Sequence, residues 1–187
     1  MAYNFIRNII LNESAPTKKL ELLPLPYAKN DLDPAISSDT LFYHHDKLAQ
    51  GYIDRYNSGE GDPVFNEAGA FLHNILFPQY QASSASNDPT GPILEFINKK
   101  YKSFDNFKKK FLDTAMGIQG SGWVYLAKDG DIKTITNHAI KQDIILLVDW
   151  WEHAWSLDYK WDKKKYLENQ WKIINWNVIS AKVGLVS

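Results

Sequence analysis

The chain has 187 residues, 44% of them hydrophobic, which is enough for one domain or two small packed layers around a sizeable core. A net charge of −1 offers no basic stripe for nucleic acid, and no apolar run approaches the length of a membrane span. Cysteine is absent, which excludes disulfides, thiolate-held zinc and iron–sulfur clusters and fits the cytoplasm or another reducing soluble compartment.

Residues 1–20 read as an N-terminal extension of unknown role. Asn4 to Leu11 is short and mostly apolar, and 12–19 is polar with a proline. It lacks the basic start, long apolar stretch and cleavage site of a secretory signal. A processed leader of another type stays open as a reading. Leu23-Pro24-Leu25-Pro26-Tyr27 is an extended, proline-set segment. Ser37 or Ser38 can cap a helix over 39–56, and Asn57-Ser58-Gly59-Glu60-Gly61-Asp62-Pro63 is a strong turn signal. A second helix is expected over 66–77, and the short connection makes the pair an antiparallel hairpin. The polar stretch 82–92 divides this hairpin domain, 21–81, from a C-terminal domain, 82–187.

The second half begins with helical periodicity over 93–101 and 104–116. Strands are expected at 123–127, 132–136 and 144–148, with Asp129-Gly130 turning the first into the second. Helical segments over 164–182 close the chain. The expected fold class is therefore α+β: an N-terminal antiparallel helical hairpin packed on a C-terminal α/β layer with a three-stranded antiparallel sheet. Lysine clusters at Lys108-Lys109-Lys110 and Lys163-Lys164-Lys165 lie on amphipathic segments and read as solvated faces.

The chemistry gathers at Asp149-Trp150-Trp151-Glu152-His153, which follows the apolar run Ile144 to Val148. A carboxylate and an imidazole at a strand end suit a redox metal that takes both ligand types. His44 and His73 lie in the two hairpin helices, which must pack together, so His44, His73, Asp149 and His153 make a candidate mononuclear site. On α-helical spacing Tyr52 lies two turns along from His44 with Leu48 between them. His45 points elsewhere on its helix and reads as non-ligating. His138 follows a strand and by itself reads as a surface residue.

These residues resemble the iron/manganese superoxide dismutases over about 21–182. The likeness rests on Leu23-Pro24-Leu25-Pro26-Tyr27, on Tyr43-His44 followed by Tyr52, and on Phe65-Asn66-Glu67-Ala68-Gly69 leading to His73. Gln119-Gly120-Ser121-Gly122-Trp123 and the Asp-x-Trp-Glu-His pattern of 149–153 complete it. The resemblance implies that His44, His73, Asp149 and His153 hold one manganese or iron ion per chain, with solvent as a fifth ligand. It implies that Tyr52 is the gateway tyrosine and that Trp123 and Trp151 belong to the aromatic surround of the metal. It also implies a homodimer in which Glu152 reaches the partner's equivalent of His153. The implied activity converts superoxide to dioxygen and hydrogen peroxide as the metal cycles between +3 and +2, balancing each electron with a proton on the solvent ligand. No nucleic-acid or membrane partner is expected.

Gly69 stands where iron-type members usually carry a glutamine. His138 stands where manganese-type members place theirs, which implies that it hydrogen-bonds the metal-bound solvent and serves the Tyr52 hydroxyl as a partner, and a histidine there resembles members that use iron or accept either metal. Leu48 and Ser156 depart from a histidine and a tyrosine that usually meet across the dimer, losing both ends of one hydrogen bond together. Leu72, Phe77 and Tyr125 replace a usual Asn, Trp and Trp. Two other readings stand beside the enzyme: a non-catalytic structural or assembly relative of the same fold, and a different redox activity at the same metal.

Overall fold

A computed structural model describes residues 18–184, so most of the 1–20 extension lies outside the described residues. The segment after it is strapped to the helical hairpin by two asparagine side chains. Asn57 exchanges hydrogen bonds with both backbone groups of Leu20, at 2.8 and 2.9 Å. Asn74 accepts from the Leu23 N–H and donates to the Glu21 carbonyl, each at 2.9 Å. Each amide offers one donor and one acceptor, so it satisfies an extended backbone much as a neighbouring strand would.

Helix α1 follows a short 3₁₀ turn, Lys29–Leu32. It starts as Ser38–Leu41, with the Ser37 hydroxyl accepting from the Thr40 N–H, which selects Ser37 over Ser38 as the cap. It widens into π-type turns over Phe42–Ala49, where the Gln50 N–H reaches back to the His45 carbonyl, and ends as Gln50–Ser58. Gly59 closes it in the left-handed region at φ 75°, a position that costs glycine little. Helix α2, Pro63–Leu76, is capped by Asp62 and has its proline in the first turn, where no N–H partner is lost.

The π segment corrects one sequence expectation. Ordinary α spacing puts Leu48 on the turn between His44 and Tyr52. The wider turns bring Ala49 to that place instead, with 0% exposure, and leave Leu48 half-buried on the flank. Tyr52 still shares the inner side with His44, because five wide-turn residues plus three α residues come back to about two full turns.

The C-terminal half opens with α3, Gly91–Tyr101, and α4, Phe104–Met116. Strands β1, Gly122–Ala127, β2, Ile132–Thr136, and β3, Ile144–Asp149, form an antiparallel sheet in the order β2-β1-β3. β1 and β3 are buried along their whole length, whereas β2 is mostly half-exposed or exposed. β3 is an edge strand with a buried edge, and such an edge needs partners. Gln79, itself 0% exposed, supplies them: its amide accepts from the Leu147 N–H at 3.1 Å and donates to the Leu147 carbonyl.

Helix α5, Glu152–Tyr159, starts directly after β3 and is an element that the sequence periodicity did not announce. Its eight residues mix Trp155 and Ala154, which are buried, with exposed Glu152, Ser156 and Leu157, too short a run to display a period. Helices α6, Lys163–Gln170, and α7, Trp176–Gly184, close the described chain. Among the described residues no helix is long and apolar enough to cross a membrane.

Candidate metal centre

Four elements each aim one side chain at a common point. His44 comes from the π segment of α1, His73 from α2, Asp149 from the last position of β3, and His153 from the first turn of α5. Their ligand atoms all lie within 4.8 Å of one another. His44 Nε2 is 3.0 Å from Asp149 Oδ2, and His73 Nε2 is 3.1 Å from His44 Nε2. His153 Nε2 is 3.3 Å from the same carboxylate oxygen.

The donor set fits a metal ion on its own terms. His73 donates its Nδ1–H to the Gly69 carbonyl at 2.7 Å, so in a neutral ring Nε2 presents a lone pair to the cluster. Two imidazole nitrogens facing each other at 3.1 Å need a proton or a cation between them. His153 Nε2 is buried and makes no hydrogen bond, although Asp149 stands close by. A buried lone pair without a donor is costly, and a cation removes that cost.

Burial and mutual contact set the charges. Burial lowers the His44 and His73 pKa values, against the pull of Asp149. Burial by itself would raise Asp149, but His153 and His44 outweigh it and hold the carboxyl well below the usual range. Neutral His44 and His73 beside an ionised Asp149 are the protonation states that metal ligation requires. Asp149 is further fixed by the Trp151 N–H on Oδ1 at 2.7 Å and the Tyr166 hydroxyl on its carbonyl at 3.0 Å.

A second layer of side chains runs from the sheet to α1. Trp123, paired across the sheet with Asp149, donates from Nε1 to His138 Nδ1 at 3.2 Å. An indole can only donate, so His138 Nδ1 is the acceptor and Nε2 carries the proton. Nε2 lies 2.9 Å from the Tyr52 hydroxyl, which leaves the tyrosine's own proton free for another partner. Burial depresses the His138 pKa to about 4 and raises that of Tyr52 to about 12, so near neutral pH the imidazole is uncharged and the phenol protonated. Trp151 stacks on His138, with centroids 4.6 Å apart and planes 17° from parallel.

His138 corrects the reading of it as a surface residue: it is 9% exposed. Asn137 turns the chain inward just before it with φ 53°, a left-handed conformation that asparagine tolerates better than most residues. The Asn-His pair carried that signal, but the direction of the turn depends on the hairpin end. His45 faces away from the cluster, with Nε2 3.0 Å from the Leu23 carbonyl and Nδ1 on Asp46 at 2.7 Å. Glu152 is exposed and has no polar partner among the described residues.

Two contributors to the site were not singled out as such by the sequence reading: Tyr166 and Phe65. Phe65 packs on the His138 ring at 4.6 Å and the Tyr52 ring at 6.0 Å. Their residue types are common in cores, and only contact with the site distinguishes them. Gly69 has a steric reason as well as a carbonyl to offer, since a Cβ there would lie 2.9 Å from the Tyr52 ring.

Two family models match the chain. Iron/manganese superoxide dismutases, alpha-hairpin domain, matches residues 19–68, and iron/manganese superoxide dismutases, C-terminal domain, matches residues 89–182. The superoxide dismutase [Fe] of Bacteroides fragilis is 35% identical, over 87% of this chain and 98% of its own. That of Pyrobaculum aerophilum is 31% identical, over 89% and 93%, and that of Escherichia coli K12 is 35% identical, over 88% and 98%. With both domain models matched in order, and a three-histidine, one-aspartate cluster where the two halves meet, the chain belongs to the iron/manganese superoxide dismutase family.

Proposed function

We propose that the chain holds one iron or manganese ion with His44, His73, Asp149 and His153 and converts two superoxide ions and two protons to dioxygen and hydrogen peroxide. The observation that carries this reading is the buried, unbonded Nε2 of His153 inside a cluster of four donor atoms. When bound, the ion supplies the one-electron couple that both half-reactions need. Asp149 brings the single negative charge of the donor set, and its bonds from Trp151 and Tyr166 hold it in place. Gly69 fixes the ring of His73 through Nδ1.

Tyr52 and His138 handle protons and orientation. His138 spends one nitrogen on Trp123 and the other on Tyr52. Its role is therefore to hold the Tyr52 hydroxyl and, through it, to tune the solvent next to the metal. Tyr52 keeps its proton near neutral pH and offers it toward the cavity, with replenishment from water. Gly69 leaves no room for a glutamine unless Tyr52 moves, so tuning falls to the His138 side. Relatives named superoxide dismutase [Fe] favour iron over manganese.

The working form is a homodimer in which Glu152 hydrogen-bonds His153 of the partner subunit. Glu152 and Ser156 lie one turn apart on the exposed side of α5, and the His153 side chain keeps 18% exposure that a partner would cover. A cysteine-free chain fits a reducing compartment such as the cytoplasm.

Metal analysis of purified protein paired with a superoxide-decay assay tests the reading. About one iron or manganese per chain and decay accelerated in proportion to metal content are expected. A fully loaded protein that leaves the decay rate unchanged would replace the enzyme by a structural relative.

A further inference from the structure

Members of the two lysine clusters of the sequence, read there as separate solvated faces, line one groove in the fold. Lys108 and Lys109 of α4 and Lys164 of α6, together with Lys172 just beyond α6, line one groove of about 490 Å³. Leu112, Leu167 and Trp171 line the same groove. We propose that this groove, which shares no lining residue with the metal cluster, binds a free organic anion with an apolar body, of the size of a medium-chain carboxylate.

The charge balance favours an anion. Four amines share the groove with two carboxylates, Asp88 and Glu168. Lys108 is paired outside that set with Asp105 at 2.8 Å, and Lys164 is only loosely paired with Glu168 at 3.8 Å. Lys172 bonds the neutral Asn169, and Lys109 has no ion-pair partner among the described residues. With Asp105 counted, four amines face three carboxylates, so the groove keeps a small positive excess in a chain of net charge −1, and an anion is the ligand that excess favours.

Shape and lining select the kind of anion. The volume lies within the roughly 300–1,000 Å³ typical of small-molecule sites. An inorganic ion would leave the apolar side chains Leu112, Leu167 and Trp171 unused, and an apolar molecule alone would leave the amines unused. A nucleic-acid backbone would bring a track of phosphates against Asp88 and Glu168. A lipid surface would meet a concave groove, where membrane docking favours an apolar face laid into the headgroup boundary.

Calorimetric titration of the metal-loaded full-length chain with decanoate, below its aggregation range, tests this. One decanoate per chain is expected, with at least tenfold weaker binding of acetate, which has the head alone. Decyltrimethylammonium, which has the tail with opposite charge, should also bind at least tenfold more weakly. The double variant Lys109→Glu with Lys172→Glu should lose tenfold or more, while Lys99→Glu on α3 should match the parent. Superoxide removal should be unchanged in all variants, which confirms that they fold. Equal affinity for decanoate in the double variant would return these lysines to solvated surface. Equal affinity for acetate or for the cationic amphiphile, or sedimentation with phosphatidylglycerol vesicles without decanoate binding, would also overturn the proposal.

Discussion

The metal cluster and the rim around it are built by different rules. In the cluster His44, His73 and Asp149 are buried, and the donor atoms of all four members crowd together, so each residue is constrained by the other three. At the rim, Glu152 and Ser156 are exposed and Leu48 lies on the flank of its helix. The family's ligand pattern is complete in the cluster; of its departures, Leu48 and Ser156 lie at the rim, whereas Leu72, Phe77 and Tyr125 are buried apolar or aromatic exchanges, Phe77 with its ring 5.1 Å from that of His44. Physical coupling accounts for this contrast. Removing one ligand strands buried partners, whereas exchanging both ends of a rim hydrogen bond strands none.

His73→Ala should give the largest effect, because it breaks the cluster from its most buried histidine. Bound metal should fall by on the order of 100-fold or more at fixed metal concentration, beyond the 10–100-fold typical for partners that only orient a ligand. Mass spectrometry of metal content checks it. Full occupancy in that variant would erase the distinction between cluster and rim.

Glu152→Ala probes the rim where it is proposed to touch a cluster ligand. Symmetry makes the contact twice, so the dimer dissociation constant should rise by roughly 10- to 100-fold, the scale of two charge-assisted hydrogen bonds with screening. Analytical ultracentrifugation together with metal retention reads both sides of the comparison. A parent protein that is monomeric at micromolar concentration would remove the contact altogether.

His138→Gln tests the layer between cluster and rim. It should shift the metal's potential and change metal-dependent activity by about tenfold, the lower end for groups that orient or tune a site. It also carries a pH signature. The folded pKa of His138 is lowered from 6.5 to about 4, so between those values the unfolded chain takes up a proton that the folded chain refuses. Stability from this group is full above pH 6.5 and is lost as pH falls toward 4. Thermal unfolding of the glutamine variant should therefore decline less steeply across that window. An identical slope would mean that burial does not hold this imidazole neutral.

The double exchange Leu48→His with Ser156→Tyr should have the smallest effect. It restores a polar pair at the rim and should speed the proton-demanding reductive half-reaction more than the two single changes combined, by a factor of a few at most, as for one hydrogen bond. Pulse-generated superoxide decay, under conditions separating the half-reactions, measures it. Additive effects would mean that the two positions are uncoupled. The displaced register of the π segment bears on this, since position 48 sits on the flank of α1 while Ala49 is the buried residue of that turn.

The sequence by itself determined which residue types could bind a metal, and where strands and most helices begin and end. Those properties are local: Ser37 caps a helix, Asp129-Gly130 turns a hairpin, and an apolar run ending in Asp149 marks a buried strand, although α2 starts at Pro63, three residues before the expected 66, because Asp62 caps it from within the turn. The resemblance added the roles of Tyr52, His138 and Glu152, which no local pattern states. Tertiary structure alone decided three things. The π segment shifted the inner face of α1 by one position, since hydrogen-bond register in a helix depends on what its side chains must reach. The left-handed Asn137 accompanies the burial of His138 and its acceptance of the Trp123 indole N–H, a partner that the sequence reading did not name beside the expected Tyr52. Distant lysine clusters became two walls of one groove because α4 and α6, nearly fifty residues apart in the chain, line the same cavity. Periodicity tells which face of an element is buried, but only packing tells what that face meets.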